Sequence, residues 1–445
     1  MKHLVPLICF VVLAAAGSVR ADSAAPVQSF DPIVRVLLVR FFYGATSLSA
    51  ADTVSAHIEL QNGPGQAPVS LGTLPAGQTL DVQGLPAGSS TVPAVSVAGG
   101  RALLQPGQVL GITPDAPVDG DDSCSLSTPG RRPRAYRGAF NFIAEPDGTL
   151  RVVDTLLLEQ YLMGVVGPEM GGSEPLQALE AQAIAARTYA VKNFGKMVGL
   201  GGDADLDDTT RCQSYLGVAA ETPRCREAVE DTAGKILTYN EAPIDAVYAT
   251  DCGGETGDGG EPYLKPVSDP CCAKESPWTF STSLDALKSA LARAGLAPVS
   301  SISNVDVTER DDSGRVSELT VDGGRSGTDD TVSGAKLRAL LGYDNLRSAL
   351  FTVRYDAKSG ECTFTGRGWG HGLGMCQHGA VIMAQAGATC SQILLHYYTG
   401  VEISDLTSDD LQTDDDSGRE LAQAAPLPVR DLTIKRRAAP APRGS

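Results

Sequence analysis

Histidine is scarce in this sequence, and two motifs that define large enzyme classes are missing. The chain has five histidines in 445 residues, and one of them, His3, lies at the extreme N-terminus. No Gly-x-Ser-x-Gly elbow occurs, which argues against a serine hydrolase of the α/β-hydrolase type. No His-Glu-x-x-His helix occurs either, so the sequence gives no support to a zinc protease of that class.

Positive charge is also in short supply. The 36 lysines and arginines stand against 53 aspartates and glutamates, a formal net charge of -17 at pH 7. Nucleic acids and anionic lipid surfaces are bound by basic patches. We therefore expect neither as a partner.

Long apolar runs are absent except at the N-terminus, where a short basic start precedes LVPLICFVVLAAAGSV. With small residues around position 21, residues 1–21 are predicted to be a secretory signal peptide. No later segment is long and apolar enough to span a membrane. The mature protein is expected in the periplasm, the cell envelope or the extracellular space. Its nine remaining cysteines, an odd number, are expected to form mainly disulfides there.

The rest of the chain predicts an α+β fold. We expect a flexible leader at 22–32, one large domain at 33–402 and a disordered acidic to Pro/Ala/Arg-rich tail at 403–445. Within the domain, 33–120 has the short alternating runs of a β-rich part. The second part, 133–402, carries a hairpin and a few packed helices, one of them predicted to be capped by Ser173.

Glycine occupies every second position from Gly366 to Gly374 in GRGWGHGLGMCQHGA. In an extended segment this spacing leaves one face without side chains and gives the other to Arg367, Trp369, His371 and Leu373. A bare backbone allows close approach of a ligand or of another part of the protein. The pattern therefore predicts either a groove floor or close internal packing.

Glu169 is the strongest candidate for an acid catalyst. It follows the apolar run LMGVVGP and precedes Met170 and two glycines, whereas most glutamates near a helix start only complement its dipole. Apolar surroundings disfavour the charged carboxylate, so Glu169 is expected to stay protonated near neutral pH, as a general acid requires. A thiol nucleophile at Cys376, between His371 and His378, is a weaker alternative.

Three segments in order, LEQYLMGVVGPEM, QALEAQAIAARTYA and GWGHGLGMCQHGA, resemble the stage II sporulation protein D/amidase enhancer family. The resemblance implies a lytic transglycosylase of peptidoglycan glycan strands, preferably denuded ones, with Glu169 as its acid/base and no required cofactor. It equally allows a non-catalytic wall-binding protein that enhances an N-acetylmuramoyl-L-alanine amidase, its expected protein partner.

The resemblance also implies a glycan-binding groove. Trp369 would stack on a sugar ring, while Arg367 or His371 would bind hydroxyl or lactyl oxygens. Arg187 is open to a second interpretation, as a structural ion-pair partner. The full set of candidate substrate-binding residues is Gln182, Arg187, Arg367, Trp369, Gly370, His371, Gly372, Gln377 and His378.

Some relatives bind zinc through His and Cys near the segment that reads YATDCGGET here. Because the family's histidine is replaced by Ala249, zinc is in doubt. Cys252, Cys271 and Cys272 remain possible thiolate ligands, with Asp251 beside them. Export and the vicinal pair favour disulfides instead, and further pairs would be Cys212 with Cys225 and Cys362 with Cys376 or Cys390.

Overall fold

The structure of this protein is a computed structural model. It describes residues 30–97, 100–116, 120–195, 203–272, 276–293, 304–322 and 330–411. The predicted signal peptide, most of the predicted leader and residues 412–445 of the predicted tail lie outside the described residues.

The described residues contain α-helices and β-strands throughout, which confirms the α+β prediction. The helices are α1 (Leu158–Met170), α2 (Leu176–Lys192), α3 (Pro223–Asp231), α4 (Leu284–Arg293), α5 (Gly334–Leu341), α6 (Gln377–Gln385) and α7 (Cys390–Tyr397). The strands are β1 (Ile33–Leu37), β2 (Ser47–Asp52), β3 (Ala56–Gln61), β4 (Val69–Leu74), β5 (Thr79–Gly84), β6 (Ala94–Ser96), β7 (Arg101–Leu104), β8 (Val109–Pro114), β9 (Cys124–Ser127), β10 (Arg134–Tyr136), β11 (Ala139–Ala144), β12 (Leu150–Leu157), β13 (Leu206–Asp207), β14 (Lys235–Tyr239), β15 (Ala242–Pro243), β16 (Tyr248–Ala249), β17 (Pro277–Ser283), β18 (Asn304–Arg310), β19 (Val316–Asp322), β20 (Asp330–Val332), β21 (Phe351–Asp356), β22 (Glu361–Arg367), β23 (Met375–Cys376) and β24 (Glu402–Asp405).

Two large sheets form the N-terminal half. One has the strand order β13-β1-β12-β11-β8-β3-β4 and the other β10-β9-β2-β5-β7-β6. Alternate residues of β2 and β5 are buried, so each of these strands turns one face to the core. The hairpin of β11 and β12, with Pro146-Asp147-Gly148 at its turn, confirms the prediction made from the sequence.

The predicted division at 120/133 is wrong. Strand β9 lies between residues 120 and 133 and pairs with both β2 and β10. Strands β8 and β11, from the two predicted parts, are neighbours in one sheet. Polar residues surround Cys124 and Leu126 in the sequence, so composition alone separates the two parts, but both side chains are buried and anchor this segment in the sheet.

Helix α2 is buried on two sides. The predicted apolar face, including Leu179, Ala183 and Ala186, packs into the core of the two sheets. Ala181 and Ala185, on another side of the helix, pack into a second core formed with α6 and α7. The predicted Ser173 cap is wrong, because the helix starts after Pro175 and has no side-chain cap.

The domain also extends past its predicted end at 402. Strand β24 pairs with β14, and Leu406 is buried in the same core as the two large sheets. The acidic composition after 402 concealed this strand. The predicted disordered tail therefore does not begin at 403.

Residues 276–367 contribute a smaller unit with its own core. Strands β17, β22 and β21 form one sheet and β18, β19 and β20 another. Helices α4 and α5 supply Leu287, Leu291 and Leu337 to the apolar cluster of this unit. The strand β22 of this unit leads directly into the glycine-rich loop.

The glycine-rich segment is not extended beyond Arg367. Gly368, Gly370, Gly372 and Gly374 all have positive φ, between 64° and 109°, a region that L side chains rarely adopt. Their bare sides face the protein itself: a Cβ at position 370 would crowd Ala249, and one at 372 would overlap with the Arg315 guanidinium. The alternation of glycine thus serves a folded loop packed against its neighbours.

Gly374 gives a direct test of this packing. Gly374 and Gly44 have similar φ, 64° and 70°, but a Cβ at 374 would overlap with the Val247 carbonyl oxygen, whereas the space at 44 is open. Gly44→Ala should cost about 1–2 kcal/mol from backbone strain alone. Gly374→Ala should cost about 1–3 kcal/mol more from overpacking, measured by denaturant unfolding. Equal costs for the two variants would contradict the packing described here.

Candidate functional site

Glu169 lies in the last turn of α1, a helix that the sequence analysis did not predict. Pro168, just before it, has no amide hydrogen, so the Gly164 carbonyl lacks its usual helical donor. That carbonyl instead accepts a hydrogen bond from the Leu216 amide, 3.2 Å away. A Cβ at Gly164 would lie 2.6 Å from the Tyr215 ring. Gly164, which leaves room for the Tyr215 ring, and Pro168, which frees the Gly164 carbonyl, together allow the segment around Leu216 to pack against the end of α1.

This docking brings a backbone donor to the Glu169 carboxyl. The Ser214 amide donates to Glu169 Oε1 over 2.5 Å, and the Gln377 side chain and Arg40 lie nearby. Burial raises the pKa of Glu169, although the Ser214 hydrogen bonds, the Gln377 side chain and the Arg40 charge all favour the ionised form. The Glu169 side chain is nevertheless partly exposed. A carboxyl with a raised pKa on a half-buried residue can act as a proton donor.

The predicted candidates Gln377 and Gln182 meet beside Glu169. Gln377 is the first residue of α6, and its Nε2 donates to Oε1 of Gln182 in α2 over 3.2 Å. Both side chains are buried. They hold the start of α6 against α2 and place the Gln377 amide within reach of the acid.

Sequence reasoning missed the segment at 213–214 and its partner Tyr248. Gln213 accepts from the Tyr161 hydroxyl over 3.3 Å and donates to the Tyr248 hydroxyl over 2.8 Å. Ser214 and Glu169 are 45 positions apart. No local periodicity or motif reports a contact over that separation.

The raised pKa of Glu169 has a consequence for stability. Because the native state binds the Glu169 proton more tightly than the unfolded state, Glu169 makes stability fall as pH rises from about 4.5 through its native pKa. Glu169→Gln removes this effect and keeps an oxygen for the Ser214 amide. We expect the variant to be more stable than the wild type at pH 7 and equally stable well below pH 4.5. Thermal unfolding at both pH values tests this; a variant less stable at pH 7 would contradict it.

Arg187, one of the predicted substrate-binding residues, has the structural role instead. Its Nε and Nη2 donate to the two carboxylate oxygens of Glu159 in α1 over 2.8 and 2.6 Å, and its Nη1 donates to the Lys235 carbonyl over 3.0 Å. The Arg187 side chain is fully buried. A buried guanidinium with its donors used in this way cannot reach a substrate, so the substrate-binding prediction for Arg187 is wrong.

Removing one partner of this pair leaves the other buried without its counter-charge. Arg187→Ala should therefore destabilise the protein by about 3–5 kcal/mol, measured by urea unfolding. Lys265, paired with Asp258 at the surface over 3.3 Å, is the matched control. Lys265→Ala should cost at most about 1 kcal/mol. A cost for Arg187→Ala no larger than that of the control would contradict the buried-pair account.

Trp369, Arg367 and His371 lie at the surface. Trp369 is 38% exposed, and the Arg347 guanidinium carbon lies 4.6 Å from its ring centroid, a cation–π distance. Arg367 donates from Nε to the Gly253 carbonyl over 2.7 Å, which leaves its two terminal nitrogens without a partner among the described residues. His371 is exposed and accepts the Leu373 amide at Nδ1 over 3.0 Å.

The remaining predicted substrate-binding residues are Gly370, Gly372 and His378. The Gly370 amide donates to the Arg347 carbonyl over 2.8 Å, and the Gly372 carbonyl accepts from the Gly257 amide over 2.8 Å. The Gly370 amide and the Gly372 carbonyl are thus both hydrogen-bonded to other backbone groups of the protein. The ring of His378 is partly buried, and its Nε2 has no hydrogen-bond partner among the described residues.

Two backbone pairings connect the segment that carries Trp369 with the segment that leads to Gln377. Tyr248 pairs with Met375, the residue two before Gln377, and Asp251 pairs with Trp369. Tyr248 and Asp251 are three positions apart in the sequence, so their Cα atoms are at most about 11 Å apart. The segment 248–251 therefore connects the backbone just before Gln377 with the backbone at Trp369.

The nine cysteines among the described residues are all free. The predicted disulfides, including Cys212 with Cys225 and Cys362 with Cys376 or Cys390, are therefore not present in the structure. Cys376 is buried, which removes it from contact with a substrate and argues against the thiol-nucleophile hypothesis. Its sulfur instead lies among those of Cys252 and Cys272.

The comparisons with known proteins agree with these motifs. Residues 146–239 match the family model described as stage II sporulation protein. The chain is 33% identical over 272 residues to the stage II sporulation protein D of Bacillus subtilis (strain 168), covering 57% of this chain and 76% of the relative. The chain belongs to the stage II sporulation protein D family.

Other relatives of this family member carry different names. An uncharacterized protein of Brachyspira hyodysenteriae is 33% identical over 282 residues, covering 61% of this chain and 72% of that protein. A protein named amidase enhancer from Bacillus subtilis is 30% identical over 297 residues, covering 55% of this chain and 40% of its own length. Residues 273–374, which include the whole smaller unit, match a domain of unknown function. None of the described helices is both long enough and apolar enough to cross a bilayer.

Proposed function

We propose that this protein is an exported peptidoglycan lytic transglycosylase with Glu169 as its general acid and base. The observation that carries the proposal is Glu169 itself: burial raises the pKa of its carboxyl, and the residue as a whole is half-buried rather than enclosed. Family membership and the relatives named for sporulation and amidase enhancement favour a role in the cell wall.

One carboxyl suffices for the proposed reaction. Protonated Glu169 gives its proton to the glycosidic oxygen between N-acetylmuramic acid and N-acetylglucosamine, and the bond to C1 breaks. The resulting carboxylate then takes the proton of the muramic acid 6-hydroxyl, whose oxygen closes onto C1. Hydrolytic glycosidases need a second carboxylate to manage water or a covalent intermediate; here the nucleophile is part of the substrate.

The surroundings of Glu169 support both halves of this cycle. The Ser214 amide fixes the carboxyl and stabilises it when it is ionised, as hydrogen bonds to a carboxylate do. The Gln377 side chain adds a second neutral partner. Together they keep the ionised form accessible after the first proton transfer, so the same group can act as base.

The surface around Trp369 suits a glycan strand. The exposed indole offers a face or edge for a pyranose ring, and Arg347 and Arg367 bring positive charge beside it. N-acetylmuramic acid without a stem peptide carries a lactyl carboxylate, which pairs well with a guanidinium. Denuded glycan strands are therefore the proposed substrate. In this proposal the loop at 368–374 supports the binding surface, and its glycine backbone does not itself contact the sugar.

The chemistry can be tested on denuded glycan strands by mass spectrometry of soluble products. We expect the wild type to release fragments ending in 1,6-anhydro-N-acetylmuramic acid. Glu169→Gln should lower the rate by about 10²–10⁴-fold, the usual contribution of a positioned acid or base. Glu174→Gln, a neighbouring glutamate outside the site, is the matched control and should keep full activity. Reducing-end products would show a hydrolase and contradict the mechanism.

A non-catalytic role remains the second candidate, because one relative is named amidase enhancer. In that case strand binding would persist in both proteins with no release of anhydro products. An added N-acetylmuramoyl-L-alanine amidase would then be stimulated equally by the wild type and by Glu169→Gln.

A further inference from the structure

Four arginines cluster around one surface loop of an otherwise acidic protein. The loop follows β1 and contains Arg40 and Phe41. The guanidinium carbon of Arg134 lies 3.4 Å from the centroid of the Phe41 ring, and Nη1 of Arg131 donates to the Phe41 carbonyl over 2.8 Å. Arg132 lies between those two in the sequence and is exposed, as are Arg40 and Arg131. We call these four residues the arginine patch.

The arginine patch has no counter-charge of its own. None of its four guanidinium groups forms an ion pair with a carboxylate of the described residues. The buried carboxylate of Asp208 packs against the same loop, but its Oδ1 accepts the backbone amides of Val39 and Arg40 over 2.8 and 2.9 Å. Unpaired guanidinium groups held together repel one another, so an anion from outside the protein would stabilise their arrangement.

Direct contacts join the arginine patch to the candidate acid. Nη2 of Arg40 donates to the Ser214 hydroxyl over 3.4 Å, and the Ser214 amide donates to Glu169. Tyr136, in the strand β10 of the patch, packs its ring against that of Tyr215, the neighbour of Ser214, with 5.8 Å between the centroids. Both rings are buried. The patch is therefore held in place beside the segment that fixes the acid.

A polar cavity adjoins the arginine patch. It has a volume of about 490 Å³, within the range of ligand pockets. Thr128 lines this cavity, and its carbonyl accepts the Arg131 amide over 3.1 Å in a tight turn. The patch and the cavity are therefore contiguous.

The cavity lies on the outer face of the sheet that contains β2, β5, β7 and β9. Along β5, its lining residues Asp81 and Gln83 are exposed and alternate with buried apolar residues, as on a strand with one face in solvent. Residues on neighbouring strands that pair with Asp81 complete a row across the sheet. The polar side chains of the lining include Ser49, Asp81, Gln83, Arg101 and Ser127.

The chemistry of the two surfaces fits an acidic sugar chain. Arginine binds carboxylates through two parallel N–H···O hydrogen bonds. The hydroxyl, amide and carboxylate groups of the cavity are donors and acceptors that match sugar hydroxyl and acetamido groups. Tyr43, in the loop that carries Arg40, is 87% exposed and offers a ring face to a sugar.

The charge of the whole protein favours a ligand of low charge density. A net charge of -17 repels a polymer that is charged at every unit, such as a nucleic acid or a polyphosphate. A denuded glycan strand carries only one lactyl carboxylate for every two sugars. A local arginine patch can therefore bind its carboxylates without a strongly unfavourable contribution from the rest of the surface.

We propose that the arginine patch binds lactyl carboxylates of a denuded glycan strand and that the adjoining cavity holds a sugar unit of the same strand. The inference rests on the proposed function for the identity of the strand, and it adds a substrate contact outside the sequence motifs. A stem peptide converts the lactyl carboxylate into an uncharged amide. The arginine patch therefore makes the protein select strands without stem peptides.

The test is the affinity of the full-length protein for denuded glycan strands, measured by calorimetry in the Glu169→Gln background so that the strand is not cut. Adding Arg131→Gln and Arg132→Gln together should lower the affinity at least about tenfold. Arg101→Gln tests the cavity and should also lower it. Arg354→Gln, at an exposed arginine of β21, is the matched control and should leave it unchanged. An affinity equal to that of the control would overturn the corresponding part of the proposal.

Amidation of the lactyl carboxylates supplies the matched ligand control. It should weaken binding to the Glu169→Gln protein by a larger factor than binding to the protein that also carries Arg131→Gln and Arg132→Gln. Equal factors for the two proteins would overturn the assignment of the patch to carboxylates. Binding of a polyphosphate through the patch in preference to the glycan strand would also overturn it.

Failure of this inference differs from failure of the proposed function. With Glu169 intact, release of anhydro products at unchanged KM by the Arg131→Gln, Arg132→Gln protein would overturn the inference and leave the proposed reaction in place. If the wild type releases no anhydro products but the binding differences above are found, the proposed reaction is wrong and the role of the arginine patch stands.

Discussion

The candidate active site depends on one missing hydrogen atom. Proline at position 168 cannot donate to the Gly164 carbonyl, and the free carbonyl receives the Leu216 amide instead. Ser214, two residues earlier, then reaches Glu169. Had residue 168 carried an amide hydrogen, the helix would have used that carbonyl itself, and Leu216 would have lost this hydrogen bond to α1.

Helix α1 holds two glutamates in opposite circumstances. Glu159 faces the Arg187 guanidinium in a bidentate pair that is shut inside the protein. Glu169, near the other end of the helix, has neutral hydrogen-bond partners, and the nearby charge of Arg40 forms no ion pair with it among the described residues. The first arrangement holds α1 against α2. The second leaves the carboxyl free to exchange its proton, which is the property that proton-transfer chemistry requires.

Local patterns predicted much of this fold. The Thr389 capping box of α7, the Pro-Asp-Gly hairpin turn and the short helix before Gly234 all follow from neighbouring residues. Glu169 was also found locally, from its apolar flanks. Helix α1 was missed because two glycines and a proline in its second half contradict helix propensity, and only the tertiary contacts of Leu216 and Tyr215 compensate for them.

The other incorrect predictions also concern contacts between residues that are far apart in the sequence. Nothing next to Arg187 in the sequence shows that Glu159 lies against it, and nothing next to Cys272 shows that the Cys376 sulfur lies 3.7 Å from its own. The glycine-rich loop was predicted to be extended from its period of two, yet the same period arises when every second residue has positive φ. Sequence spacing alone does not distinguish these two backbones.

The pairing of β24 has a consequence for how the chain reaches its native state. Leu406 belongs to the same buried cluster as Val34 and Leu158, and β24 forms the edge of the sheet that contains β14. During synthesis from the N-terminus, this core stays open on one side until nearly the last described residue has emerged. Contacts of such long sequence separation form late. The ribosome will therefore have finished most of the polypeptide before its first strands are fully enclosed.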